Sequence, residues 1–411
     1  MALLRNLSVS KKVALILVLF SLIASSILVI QFINVGSTTI IVPDDYPTIM
    51  AAIGNATDSD TIFVKSGIYN EQELVINKTL SLIGENANST KIILHPPLVP
   101  HYFWGQVYSD PIKIEANDVA LSGFTIATEG GGIIVTGNGA RIIDNIIGMG
   151  ITVTGYGTLI MGNDVPAILL RGFNQTIAQN TFGGDYVRLS IGGICPRLWI
   201  EDSVDNLIAK NNISGGGLGI ELRSSTRNQI VANNIVTAIC VQIDDFFGTS
   251  GLQTRLSDNN ALYQNNFISN STSIDQAGYR TGDYSVNNIW DDGKKGNYWS
   301  DYNGTDANVD GLGDAPYIID SNNQDHYPLM IPIDISTVTV QLPEFTLPKP
   351  SPLPSASPSQ PPTSSPSENP IQSPQPQPER QTFPITWVAA TMVAVVAVGA
   401  GLSVFLKKRK H

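Results

Sequence analysis

Three charged residues stand one repeat apart in the middle of this chain: Glu201, Arg223 and Asp244, with Arg171 at about the same place one repeat earlier. Two carboxylates around a guanidinium make the kind of surface on which polysaccharide lyases and hydrolases work. A hydrolase needs one carboxyl to hold a proton near neutrality, and a neighbouring guanidinium favours the ionised form instead. Arg223 therefore weighs against glycosidase chemistry. A lyase using carboxylates to hold calcium and an arginine as base stays open, although arginine is a reluctant base. The same residues also read as alternating charge on an outward sheet face, where exposed pairs contribute little. No catalytic residue is assigned; Glu201, Arg223 and Asp244 are the candidates if this face is catalytic.

A second set lies near the end of the globular region. Asp306, Asn308, Asp310 and Asp314 put oxygen side chains at positions 1, 3, 5 and 9 of a loop. Gly311 stands at position 6, and the Leu312 carbonyl falls at position 7. Calcium loops of EF-hand type use this spacing because the chain wraps the ion and glycine makes the sharp turn. Tyr317 occupies the place of the usual bidentate glutamate. A weak calcium site is one expectation, and an acidic turn held by side chain to backbone bonds is the other. The aromatics around it, Trp290, Tyr298, Trp299, Tyr302, Tyr317 and Tyr327, read as a plug for the end of a core rather than a sugar platform.

A recurring phrase indicates what positions these groups: an apolar residue, two variable residues, Asn or a substitute, one residue, another apolar residue. It reads VALSGF (119–124), IIDNII (142–147), IMGNDV (160–165), IAQNTF (177–182), IAKNNI (208–213), IVANNI (230–235) and LYQNNF (262–267). The fourth positions are Ser122, Asn145, Asn163, Asn180, Asn211, Asn233 and Asn265, at intervals of 23, 18, 17, 31, 22 and 32 residues. Coils of a β-solenoid have this length, two of them trimmed and two carrying insertions. Asn tolerates the left-handed corner between strands and stacks its amide on the next. A leucine-rich repeat would need a Leu lattice and a helix per repeat. The predicted fold is all-β: a right-handed parallel β-helix over 38–335. A short amphipathic helix in TIMAAIGNA, burying Ile49, Ala52 and Ile53, closes its open N-terminal end.

The flanks predict a membrane protein. Residues 1–12 are basic, and 13–33 form an apolar run that reads as a signal anchor or a signal peptide. Residues 385–406 form a second apolar span, and 407–411 are basic, so the positive-inside rule places the C-terminus in the cytoplasm. Everything between lies outside, extracellular or periplasmic. Residues 336–384 read as a Pro/Ser-rich stalk, because 14 of the 25 prolines fall between 343 and 384. Asn-x-Ser/Thr sequons at Asn55, Asn77, Asn88, Asn174, Asn212, Asn270 and Asn303 agree with exposure to a glycosylating compartment. The net charge is -11. Setting aside seven terminal bases leaves 17 against 35 acids, about -18 for the middle. Such a surface repels nucleic acid and anionic lipid and suits cations and neutral glycans. Cys195 and Cys240 alone cannot make a disulfide framework and read as buried or half-buried thiols.

The segment IIVPDDYPTIMAAIGNATDSDTIFVKSGIYNEQELVINKTLSLIGE resembles the cap and first coils of NosD-like β-helix proteins of the pectin-lyase type. GNYWSDYNGTDANVDGLGDAPYIIDSNNQDHYPLM resembles the signature that closes them. The resemblance implies this fold and, through a periplasmic copper-binding member, a copper-handling role. Copper sites group His, Cys or Met; here His95, His101 and His326 are few and scattered, so a copper role is not expected. The leading expectation is a membrane-anchored surface β-helix that is non-catalytic and binds glycans or serves as an envelope or adhesion scaffold. A polysaccharide lyase or hydrolase is the alternative, and a copper-handling accessory protein the third.

Overall fold

The computed structural model describes residues 37–95, 101–103, 106–108, 111–128, 131–183, 196–215, 217–244, 246–247, 253–255, 257–270, 277–279 and 287–347. The chain divides into two compact units, Met1–Pro352 and Leu353–His411. The second unit, the expected spans at 13–33 and 385–406 and both basic ends lie outside the described residues. No helix among those residues is long and apolar enough to cross a membrane.

Short strands with inward side chains at every second residue wind into three parallel sheets, as a right-handed parallel β-helix requires. The first sheet runs from Thr39–Val42 through ten strands to Ala261–Tyr263. Its inward file is Ile62, Leu82, Leu121, Ile142, Ile160, Ile177, Ile208, Ile230 and Leu262, each fully buried. The second sheet runs from Gly67–Glu71 to Tyr298–Trp299, and the third from Leu74–Ile76 to Ala277–Tyr279.

The predicted asparagines stack at the corner between the first and second sheets. Asn145, Asn163, Asn180, Asn211, Asn233 and Asn265 are at most 1% exposed. In each, the backbone N–H and Nδ2 donate to Oδ1 of the Asn one coil on, as from Asn180 to Asn211 at 2.9 and 3.1 Å. The file continues through Asn297 and ends on Asp325, whose Oδ2 accepts the Asn297 N–H at 2.7 Å. A second file, Gln175, Asn206, Asn228, Asn260 and Asn288, lines the corner before the first sheet.

Both ends of the core are closed. Helix α1, Ile49–Asn55, is capped by the Thr48 side chain and buries Ile49, Ala52 and Ile53, as expected. At the other end Trp290 and Trp299 are buried, and Trp299 stacks on Tyr317 at 4.2 Å.

Insertions into the coils adjoin strands of the third sheet in sequence. Residues 95–111 and 184–195 precede its strands Ile112–Ile114 and Pro196–Glu201, whereas 245–256 follow Ile239–Asp244. The first and last of these contain short antiparallel hairpins, His101–Phe103 with Gln106–Tyr108 and Phe246–Phe247 with Gln253–Arg255.

Candidate functional site

The third sheet brings the expected charges into register. Glu201 pairs with Arg223, and Arg223 with Asp244, on strands Pro196–Glu201, Leu218–Arg223 and Ile239–Asp244. Their neighbours Ile200, Leu222 and Ile243 are buried, so alternation turns the charged residues to the outer face. Only the backbone of Asp244 lies within the described residues. Arg171, just past strand Ile168–Leu170, bonds Glu201: Nε donates to Oε2 at 2.8 Å.

The face is not the exposed ladder expected from sequence. The Glu201 and Arg223 side chains keep only 16% and 27% of their exposure. The reason is a second outward file two residues back, Trp199, Glu221 and Gln242, paired in the same register. Glu221 and Gln242 are buried, 4% and 3% exposed, although they point away from the core. Arg223 lies over the Trp199 ring at 5.1 Å and donates from Nη2 to Glu221 Oε1 at 2.7 Å, whereas Glu201 Oε1 is 3.9 Å from Nη1. Trp199 Nε1 is buried and finds no acceptor among the described residues. Sequence reasoning passed over this second file, yet its signal was present. The alternation that turns Glu201, Arg223 and Asp244 outward turns Trp199, Glu221 and Gln242 outward too.

The face therefore carries an aromatic ring, two arginines and at least two carboxylates, with the charges paired. Each carboxylate is engaged by an arginine, Glu201 by Arg171 and Glu221 by Arg223, and charge-assisted pairs of this kind hold hydrogen-bonding groups in fixed positions.

The loop from Asp306 folds on itself. Asp306 Oδ1 and Asn308 Oδ1 both accept the Asp310 N–H, at 3.1 and 3.2 Å, and Asp306 Oδ2 accepts the Gly311 N–H at 2.9 Å. Asp310 Oδ1 accepts the Leu312 N–H at 2.9 Å, while Asp314 Oδ2 accepts from Thr305 Oγ1 and the Ala307 N–H. Gly311 has φ +88°, the sharp turn that position 6 needs. Among the described residues no group of three or more His, Cys, Asp or Glu converges to hold a metal.

Residues 53–304 match the family described as periplasmic copper-binding protein (NosD). The chain belongs to the NosD family. A probable ABC transporter binding protein NosD from Stutzerimonas stutzeri is 30% identical over 162 residues, 39% of this chain and 28% of that protein. Less than a third of that relative's length is thus matched. Solved structures with similar coils include a pectin methylesterase in complex with a hexasaccharide (12% identity, TM-score 0.37, 62% of this chain and 92% of that one). The Dettilon tailspike protein is a second (14%, 0.38, 63% and 66%), and a mannuronan C-5 epimerase A-module from Azotobacter vinelandii a third (12%, 0.28, 58% and 90%). All are likenesses of fold.

The donors described in this NosD chain do not fit a copper centre. His326 has its Nδ1 2.9 Å from Asp291 Oδ2 and its Nε2 2.8 Å from Gln324 Nε2. Cys240 is buried, its thiol pushed up to about 11 by that burial, which opposes the thiolate a metal needs. His95 is exposed at the head of an insertion; the His101 side chain and Cys195 lie outside the described residues.

Proposed function

We propose that this NosD-family protein is a non-catalytic, envelope-facing β-helix, anchored to the membrane, that binds neutral glycans on the outer face of its third sheet. Supporting it most is the arrangement around Trp199: an outward indole, an Nε1 donor with no described acceptor, the half-buried Arg171, Glu201 and Arg223, and the buried Glu221. Sugars are held by aromatic surface together with fixed, ionised hydrogen-bonding groups, and the buried donor costs about 1–3 kcal/mol until it is satisfied. Each carboxylate is already engaged by an arginine, Glu201 by Arg171 and Glu221 by Arg223, an arrangement that suits binding better than acid–base catalysis. The acidic surface favours neutral glycans over anionic ones.

The test is a glycan array with the purified chain, followed by titration calorimetry on the hits. Trp199→Ala should weaken binding about tenfold, a loss of about 1.4 kcal/mol. An array with no neutral glycan bound removes the proposal. Release of cleaved product, abolished by Arg223→Ala in a folded protein, would install the lyase or hydrolase reading.

A further inference from the structure

Beyond Leu329 the chain stays on the solenoid. The Ile333 N–H donates to Asn266 Oδ1, and Asn266 Nδ2 donates back to the Ile333 carbonyl, both at 2.8 Å. Asp334 Oδ1 then accepts the Ser336 N–H and Oγ, and Lys210 Nζ donates to the Ser336 carbonyl at 3.2 Å. Val338 is buried against Val231 and Ala232, with Ile333, Ile335, Val340 and Tyr263 around them. Further on, the Phe345 ring lies 4.8 Å from the Arg141 guanidinium.

These contacts have a direction. Asn266 opens the second-sheet strand Asn266–Ser269, just past the last strand of the first sheet, Ala261–Tyr263, and Arg141 opens the first-sheet strand Arg141–Ile143, five strands back. Five strand spacings are about 24 Å, a distance that ten extended residues cover. The segment runs back along the outside of the first sheet, and its sequence suits that path. Val338 and Val340 are buried or half-buried, Leu342 is half-buried, and Thr339 and Gln341 between them are exposed. The sheet beneath is apolar where alternation turns it outward. Ile143, Leu159, Ala178, Ala209 and Val231 flank the inward file yet are no more than 5% exposed.

We infer that residues 333–345 are a strap, and that the outward apolar stripe of the first sheet is a docking surface for an extended segment of alternating apolar and polar residues. Its occupant is this chain's own strap. Ten residues expected in the stalk, 336–345, thereby belong to the folded domain, and the chain leaves the solenoid beside Arg141 rather than at its last coil.

Thermolysin, which cuts before large apolar residues, tests this on the full chain in detergent. Sites at Val338 and Val340 should be cut at least tenfold more slowly than Ile371 in the proline-rich tract. Val231→Asp, which places a charge on the outward stripe and leaves the inward file alone, should raise cutting at the strap sites to the Ile371 rate while the coils resist. Should Val231→Asp unfold the coils as well, Tyr263→Asp at the edge of the same stripe replaces it. Strap sites cut as fast as Ile371 in the unaltered chain overturn the inference, as does continued strap protection in a folded stripe variant.

Discussion

Arg223 bonds Glu221, two residues back on its own strand, at 2.7 Å, and stands 3.9 Å from Glu201 on the next strand. The tighter partner is the more buried one, with a Glu221 side chain only 5% exposed. A carboxylate so enclosed depends on fixed donors in a way that an exposed ladder does not.

Arg223→Ala should therefore cost about 1–3 kcal/mol of stability, several times the value for a surface pair. Thermal unfolding of the variant measures it. Arg227→Ala is the internal control: Arg227 bonds Asp205 through two 2.8 Å bonds, but both side chains are more than half exposed, and its loss should barely register. Equal effects from the two substitutions would show that burial of Glu221 carries no energetic weight.

Asp325 ends the asparagine file, and burial pushes its carboxyl up to about 6 against the hydrogen bonds of Asn297, Trp299 and Tyr327, with Asp291 adding to the rise. A carboxyl raised on folding holds its proton more tightly in the native state than in the unfolded one. Its contribution is fully present below about pH 4 and is lost as pH rises through about 6, a change of about 3 kcal/mol. Comparing unfolding of the unaltered chain and Asp325→Asn from pH 4 to 7 isolates this contribution. The slope between pH 4 and 6 should flatten in the variant. Parallel curves would refute the assignment.

Calcium at Asp306, Asn308, Asp310, the Leu312 carbonyl and Asp314 is a proposal supported by the spacing, whereas the side chain to backbone bonds in the loop are those of an acidic turn. Ligand that binds only the native state raises stability, so millimolar calcium on a weak site should add about 1 kcal/mol, and Asp310→Ala should remove the gain. Superimposable melts with calcium and with chelator, in the unaltered chain, end the proposal.

Much of the fold was legible because its periods are short. Asn145 through Asn265 recur in a phrase whose flanking residues face the core, so neither coil nor corner needed distant information. The outer faces were harder. Glu201, Arg223 and Asp244 could be placed outward from the same alternation, but the burial of Glu221 on an outward face is a tertiary property that no local pattern encodes. The strap was hidden for a different reason. VTVQL has strand alternation, but it adjoins a tract dense in proline, and composition outweighed a signal five residues long. Its partner surface lies more than a hundred residues away, as the bond from Lys210 to Ser336 illustrates.

The strap also decides how the protein bears load. A pull on the chain beyond Leu347 reaches Phe345 first and acts against the packing on Arg141, then on Leu342, Val340 and Val338 in turn. Contacts loaded one after another peel at low force, whereas strands loaded together along their hydrogen bonds resist. The strap would then yield in small steps and pay out about 3.3 Å of slack per residue before the Asn266 bonds and the aromatic plug at Trp299 feel tension. Force applied from that end would thus be spent on the strap, while the coils and the face around Trp199 keep their shape.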